Sequence, residues 1–168
     1  RIPFIVAAMG SHGGATSEGQ RAVLHALGIT PDSTKMEIRT DMETVCVAEK
    51  CVGKEESIYV YLDRHCAQAD GILVINRIKA HSSLTGPIQS GLAKMMVVGL
   101  GKKEAAAQVH NARPEEMGAR LKAMAELMLA TGKIAGGLAI IEDGDEQTAE
   151  LHALKAEEFL AREPELLT

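Results

Sequence analysis

Short apolar runs along this chain alternate with longer segments in which apolar residues recur at helical spacing. Residues 3–9 and 72–75 are apolar runs without polar alternation, the pattern of strands buried on both faces of a parallel sheet. Residues 57–62 alternate, residues 137–141 form a further strand pattern, and residues 148–154 would pair with the latter across the acidic turn between them. This order of strands and helices predicts an α/β fold with a mostly parallel sheet.

Two helices are predicted in the second half of the chain. One is expected to open at Pro87 and to end in the glycine-rich residues 99–101. The longest helix begins at Pro114, which suits a first helical turn. Its apolar stripe recurs at i, i+4, i+7 and i+11 and consists of Met117, Leu121, Met124 and Met128. These residues are expected to pack in the core.

Composition excludes several classes of function. The chain has 168 residues, enough for one domain with a sizeable core. Two tyrosines and two phenylalanines are its only aromatic residues, and its net charge is −5, so nucleic acid is not an expected partner. No apolar run approaches the roughly 18 residues of a membrane span, so no membrane partner is expected. Three cysteines without a CxxC spacing suggest free thiols and a cytoplasmic location.

A glycine-rich turn follows the first predicted strand and carries a histidine. Gly10, Ser11 and His12 lead into Gly13 and Gly14, and a helix is expected to begin just after, with Ser17 and Gln20 as a capping box. Backbone amides beside a helix N-terminus make a cradle for anions. The turn has neither the Walker nor the GxGxxG pattern. His12 would lie at the carboxyl edge of its strand.

A second group of chemically active residues follows the run 72–75. Polar residues begin at Asn76 and include His81, at the strand end where α/β proteins bind ligands. Lys94 lies opposite Leu92 on the next predicted helix, and Gly91, one turn earlier, leaves the flank of the lysine open to a bulky partner. His110 follows downstream. Right-handed crossovers would bring the ends of both strands to one edge of the sheet, with His12 and His81 facing each other.

The segments AAMGSHGGATSEGQ, GILVINRIKAHSSLTGPIQSGLAKMMVVGLGKKEAA and EPELL strongly resemble the lactate racemase N-terminal domain family. The resemblance covers most of the chain, in several separated motifs in the same order. It implies a Rossmann-like domain with helices on both faces of the sheet. It also implies that residues 1–168 are a fragment of the cofactor-binding domain of a longer two-domain protein, and that the isolated fragment is inactive.

The family resemblance also implies a cofactor and a role for each site residue. The cofactor is a nickel-pincer nucleotide, a pyridinium mononucleotide that is attached to a lysine through a thioamide. By motif, Lys94 is the tethering residue, His110 the nickel ligand, and His12 and His81 the acid/base pair. Gly10, Ser11 and Gly91 are expected at the cofactor. The implied partners are the cofactor biosynthesis enzymes and a small 2-hydroxy acid. The resemblance leaves open whether the protein forms a homo-oligomer.

The residue types suit that chemistry. Hydride transfer to a cofactor and back would racemise a 2-hydroxy acid without removing its weakly acidic α-proton as a base would. A histidine on each face of the substrate could exchange the hydroxyl proton, since its ordinary pKa is about 6.5. The chain is therefore expected to be an isomerase, a racemase or epimerase. A neutral imidazole also binds nickel well.

Other functions stay open at this stage. His12, His81 and His110 could instead be three ligands of zinc or iron in a hydrolase, although Lys94 then has no task. The glycine-rich turn alone would suit a non-catalytic nucleotide-binding module. The chain also departs from the racemase pattern: Gly13 stands where the racemase has arginine, and the connection from His81 to Lys94 is longer and contains threonine and proline. The resemblance therefore does not fix lactate as the substrate.

Overall fold

A computed structural model describes residues 2–52, 56–81, 84 and 86–167. The chain is a mixed α/β protein. Its strands are β1 (Phe4–Val6), β2 (Glu37–Arg39), β3 (Thr44–Cys51), β4 (Ser57–Asp63), β5 (Ile72–Arg77), β6 (Ile134–Glu142) and β7 (Thr148–Lys155). Its helices are α1 (Ser17–Ala26), α2 (Pro31–Thr34), α3 (Arg64–Gln68), α4 (Leu92–Lys94), α5 (Lys102–His110), α6 (Pro114–Ala130) and α7 (Phe159–Leu166). A π-helical turn, Met95–Gly99, joins α4 to the segment before α5.

The strands form three small sheets within the described residues, instead of the single, mostly parallel sheet that the sequence predicts. β1 and β2 pair in parallel, and β3 and β4 form an antiparallel hairpin. The third sheet has the order β5-β6-β7, in which β5 and β6 are parallel and β6 and β7 antiparallel. The strands that carry the two predicted site segments, β1 and β5, thus belong to different sheets.

β5 is buried on one face only, which corrects the expectation of burial on both. Ile72 and Val74 lie in the core, whereas Leu73 and Ile75 are 65% and 55% exposed. Leu151 of β7, on the same face as its partner Ile140, is 58% exposed. Helix α4 contacts β5 and β6 of this sheet, and α7 contacts α4. An apolar run alone does not distinguish one-sided from two-sided burial, because the covering elements are distant in sequence.

The helix expected to open at Pro87 begins instead at Leu92. Residues 86–90 are not helical, because the backbones of Lys79 and Ser90 form an antiparallel bridge there. Thr85, the threonine of the connection between His81 and Lys94, lies outside the described residues. Ile88, Leu92 and Met96, which recur at the spacing of a helix face, are nevertheless all buried.

The second half of the chain follows the sequence pattern closely. α6 begins at Pro114, and Leu121, Met124 and Met128 of its stripe are fully buried. β6 and β7 pair across residues 143–147, as the sequence predicts. α6 packs against β3, β4, α4 and α5 and so covers the hairpin and the segment that carries Lys94. The helix thereby joins the hairpin to the region of the candidate site.

The start of α1 differs from the predicted capping box. Thr16, not Ser17, is the N-cap, because its hydroxyl accepts a hydrogen bond from the Gly19 amide at 3.0 Å. Ser17 bonds instead to Thr40, with 2.8 Å between the hydroxyl oxygens. Gln20 is fully buried and turns back toward the glycine-rich turn. The three cysteines are free thiols, as expected.

Candidate functional site

The end of β5 holds the segment that leads to Lys94. The Asn76 side-chain amide donates to the Gly91 carbonyl at 3.0 Å. Lys79 and Ser90 exchange two backbone hydrogen bonds, of 3.0 and 3.3 Å. Since α4 is only one turn long, these contacts fix its start from outside the helix.

Lys94 ends α4 and directly precedes the π-helical turn Met95–Gly99. Single π-turns inside helices are frequent at functional sites. Lys94 is half-buried, and its burial lowers the pKa of the amine below the ordinary value of 10.5. A larger fraction of the amine is therefore neutral, and hence nucleophilic, than at an exposed lysine.

His81 is held by the loop that runs from β5 to α4. Its backbone amide donates to Gln89 Oε1 at 2.8 Å. Its ring Nδ1 accepts a hydrogen bond from the Leu84 amide at 3.2 Å. Because Nδ1 accepts, the proton of the neutral ring is assigned to Nε2.

His81, Lys94 and His110 line one cavity of about 260 Å³. His110 is the last residue of α5 and is exposed. The rest of the wall is apolar and comes from Leu84, Val98, Val109 and Met117. Met117 of the predicted stripe is partly buried: it packs against the core, as expected, and also lines the cavity. Three residues that lie 29 positions apart in the chain at most, on a loop and two helices, converge on this space.

All the ionisable side chains among the described residues of the cavity wall are basic. Burial lowers the pKa of His81 first, and the charges of Lys94 and His110 lower it further. The three groups therefore lie close enough to repel one another when protonated. No acidic side chain is among the described residues of the cavity wall. Such a wall favours an anionic ligand, for example a carboxylate, and keeps His81 neutral near pH 7.

The fourth predicted residue, His12, lies on a turn that contacts Val98 of the cavity wall through Gly10. The Gly10 amide donates to the Gly99 carbonyl at 3.2 Å. A Cβ atom at Gly10 would lie 3.3 Å from the Val98 carbonyl oxygen. Ser11 and His12 are exposed, and His12 is not among the described lining residues. The structure thus brings three of the four side chains together, and the chemical roles of all four stay predictions.

Gln20 binds the glycine-rich turn of residues 10–14, called the histidine turn below because it carries His12. The sequence pattern missed this role. Its Nε2 donates to the Gly10 carbonyl at 2.9 Å and to the His12 carbonyl at 3.2 Å. A glutamine at the third helical position predicts a capping box, which is why the pattern pointed to the helix. The long-range contact became visible only in the folded chain.

The side of Gly91 that was expected to be open is occupied. A Cβ atom there would lie 2.6 Å from Glu163 Oε2, and Glu163 Oε1 accepts a hydrogen bond from the Ala93 amide at 2.6 Å. Gly91 therefore makes room for a carboxylate of α7 and not for a cofactor beside Lys94. Glu163 is the second residue that the sequence pattern missed; it lies in the EPELL segment of the family resemblance, which gave it no role.

Replacing Gly99 by alanine is expected to loosen the contact between the glycine-rich turn that carries His12 and the helical segment that carries Lys94. The new methyl group would lie 2.7 Å from the Ala8 carbonyl oxygen and would overlap with Met95 Sδ. Overpacking of this kind costs about 1–3 kcal/mol of unfolding free energy. Urea denaturation measures the loss, and hydrogen exchange at the Gly10 amide should become faster.

The control is Gly144→Ala, because a Cβ atom at Gly144 meets nothing within 4 Å. That variant is expected to stay within about 0.5 kcal/mol of the parent chain. Equal stability of the two variants would contradict the close contact at Gly99.

Comparisons with protein-family models and with curated proteins give no match for this chain. No helix in the described part of the chain is both long and apolar enough to cross a membrane. Among the same residues, no group of three or more histidine, cysteine or acidic side chains is arranged to hold a metal ion.

Proposed function

We propose that this chain is the cofactor-binding domain of a nickel-pincer-nucleotide-dependent racemase or epimerase that acts on a 2-hydroxy acid, with the Rossmann-like core of that family. The observation that carries the proposal is the convergence of His81, Lys94 and His110 on one cavity. These are the three residues to which the resemblance assigns acid/base, tethering and metal-binding roles. Two parallel strand pairs, β1–β2 and β5–β6, are compatible with such a core.

The donor set of the cavity fits the cofactor. Lys94 would hold it covalently and His110 would bind its nickel, so a single protein ligand suffices for the metal. The cavity of about 260 Å³ is smaller than the roughly 300–1,000 Å³ of sites that enclose whole small molecules. It therefore encloses only part of a nucleotide, and the remainder would lie outside. When bound, the cofactor supplies a reversible hydride acceptor.

The side chains of this protein supply charge and protons. A neutral Lys94 amine has the lone pair that an amide-type bond requires, and its lowered pKa increases the neutral fraction. The positive wall attracts the carboxylate of a 2-hydroxy acid. Neutral His81, with its hydrogen on Nε2, can donate a hydrogen bond to a substrate oxygen. To act as a base at Nδ1 it would have to release the Leu84 amide.

Intact-mass spectrometry tests the proposal. The chain is produced together with the enzymes of nickel-pincer biosynthesis, and the expected result is an adduct that contains nickel and sulfur. Peptide mapping should locate it on Lys94. Lys94→Arg should abolish the adduct, whereas Lys103→Arg, at an exposed lysine one helix later, should retain it.

Two results would contradict the proposal. One is an unmodified Lys94 with stoichiometric zinc, which would support a hydrolase. The other is reversible binding of a nucleotide with no covalent adduct, which would support a non-catalytic module. With the adduct in place, loss of optical activity across a panel of 2-hydroxy acids identifies the substrate.

A further inference from the structure

A buried carboxylate of α7 lies against the start of α4, the helix that carries Lys94. Glu163 of α7 is 2% exposed. Its Oε1 accepts a hydrogen bond from the Ala93 amide at 2.6 Å. Ala93 directly precedes Lys94, so the contact lies one residue from the predicted tether.

Glu163 and Gly91 together replace an ordinary helix cap. The first amides of a helix lack intrahelical partners, and a Ser, Thr, Asp or Asn at the N-cap usually binds them. In α4 the N-cap is Gly91, which has no side chain and makes no such bond. Its missing Cβ leaves the space in which the Glu163 carboxylate lies. The cap is thus supplied by a residue 70 positions away in the sequence.

The other contacts of this segment do not bind the first backbone amides of α4. Asn76 binds the Gly91 carbonyl, and Lys79 bridges to Ser90, but neither reaches the first amides of α4. α7 itself is firmly placed, since Phe159 is fully buried. A Cβ atom at Gly137 would meet both Phe159 and Leu92, so α7 and α4 lie over the same point of β6.

We propose that Glu163 is a positioning residue for Lys94: it caps α4 from outside and so sets the place of the lysine amine in the cavity. The idea that this amine carries a cofactor rests on the proposed function, but the effect of Glu163 on the amine does not. A displacement of about 1 Å can cost a reaction on the order of 100-fold. Glu163 therefore acts on chemistry that it does not touch.

The test measures the reactivity of Lys94 without any cofactor. The whole chain is labelled with trace acetic anhydride from pH 6 to pH 10.5, and the acetylation of each lysine is quantified by mass spectrometry. Only the neutral amine reacts, so the labelling midpoint reports the local environment of each lysine. Lys103 and Lys122, both mainly exposed, serve as internal references.

Three variants separate positioning from general stability. Glu163→Leu removes the acceptor and is expected to raise the Lys94 midpoint toward that of the exposed reference lysines. Glu163→Gln keeps an oxygen for the Ala93 amide and should restore the midpoint of the parent chain. Should Glu163→Leu not fold, Glu163→Asp, which keeps the charge but is one methylene shorter, is expected to shift the midpoint in the same direction.

Ile58→Ala is the control for destabilisation, because Ile58 is buried in β4 and is not among the described residues that line the cavity. It should lower stability without moving the Lys94 midpoint. An unchanged midpoint in folded Glu163→Leu and Glu163→Asp, or no rescue by Glu163→Gln, would overturn the proposal.

Cofactor loading then separates this inference from the proposed function. If the parent chain forms the adduct on Lys94, Glu163→Leu should slow its formation about 100-fold. If the parent chain forms no adduct but the midpoint still depends on Glu163, the proposed function fails and the positioning role stands.

Discussion

Replacing Lys102 by methionine is expected to lower the free energy of unfolding by about 3–5 kcal/mol. Lys102 is fully buried, and its Nζ lies 3.4 Å from Oδ2 of Asp63, which is also buried. The same Nζ donates to the carbonyl of Ala7, the residue that directly follows β1. Methionine keeps the length and the apolar stem but removes the charge, so the Asp63 carboxylate would be left buried without its counter-charge. Urea denaturation measures the loss.

Lys103 provides the matched control. It is the next residue, its side chain is 61% exposed, and it pairs only loosely with Glu104. Lys103→Met should change the free energy of unfolding by no more than about 0.5 kcal/mol. An equally small effect at Lys102 would show that the buried pair contributes nothing.

A second substitution tests the cause of the loss. Asp63→Asn in the Lys102→Met background removes the unpaired charge while Oδ1 can still accept from the His65 and Cys66 amides. The double variant should recover at least about half of the lost stability. No recovery would mean that the lost contact to the Ala7 carbonyl, and not the buried charge, dominates.

Glu163→Gln is expected to stabilise the chain at alkaline pH and to leave it nearly unchanged at pH 5. Burial raises the pKa of Glu163 from 4.5 to about 7, against the smaller lowering effect of the Ala93 and Leu92 amides. The folded chain therefore holds this proton more tightly than the unfolded chain. Its contribution to stability is present below pH 4.5 and is lost as the pH rises through 7. Glutamine resembles the protonated form of the glutamate and does not ionise, so its contribution to stability does not fall as the pH rises.

The expected gain from Glu163→Gln is about 2–3 kcal/mol larger at pH 8.5 than at pH 5. Denaturation curves of the parent chain and of Glu163→Gln at the two pH values give this difference. The titration of His81 and Lys94 cancels, because both chains contain these residues. Glu165→Gln, at an exposed glutamate of the same helix that pairs with Arg162, should show no such pH dependence. A gain that is the same at both pH values would contradict the raised pKa of Glu163.

Much of the secondary structure could be predicted because its signals are local. Pro114 and the spacing of Leu121, Met124 and Met128 are enough to define α6, and a short acidic turn is enough to join β6 to β7. The sheet arrangement could not be predicted in this way. Which strands pair, and whether Leu73 and Ile75 of β5 are covered, depends on contacts between segments far apart in the chain.

The candidate site divides along the same line. Lys94, His81 and His110 could be named from the sequence, because a histidine or lysine beside a strand end or a glycine is unusual in a local pattern. The lowered pKa of Lys94 and His81, the assigned proton on His81 Nε2 and the exposed place of His12 follow from burial and hydrogen bonds that no local pattern contains.

The amino-acid sequence by itself determined the α/β character of this protein, its longest helix and the chemical groups at its site. Tertiary structure alone decided that Glu163 caps α4, that Gln20 holds the histidine turn and that Lys102 meets Asp63. The physical reason is that helices and turns form from neighbouring residues. A buried polar group, in contrast, is stable only where the whole chain brings it a partner.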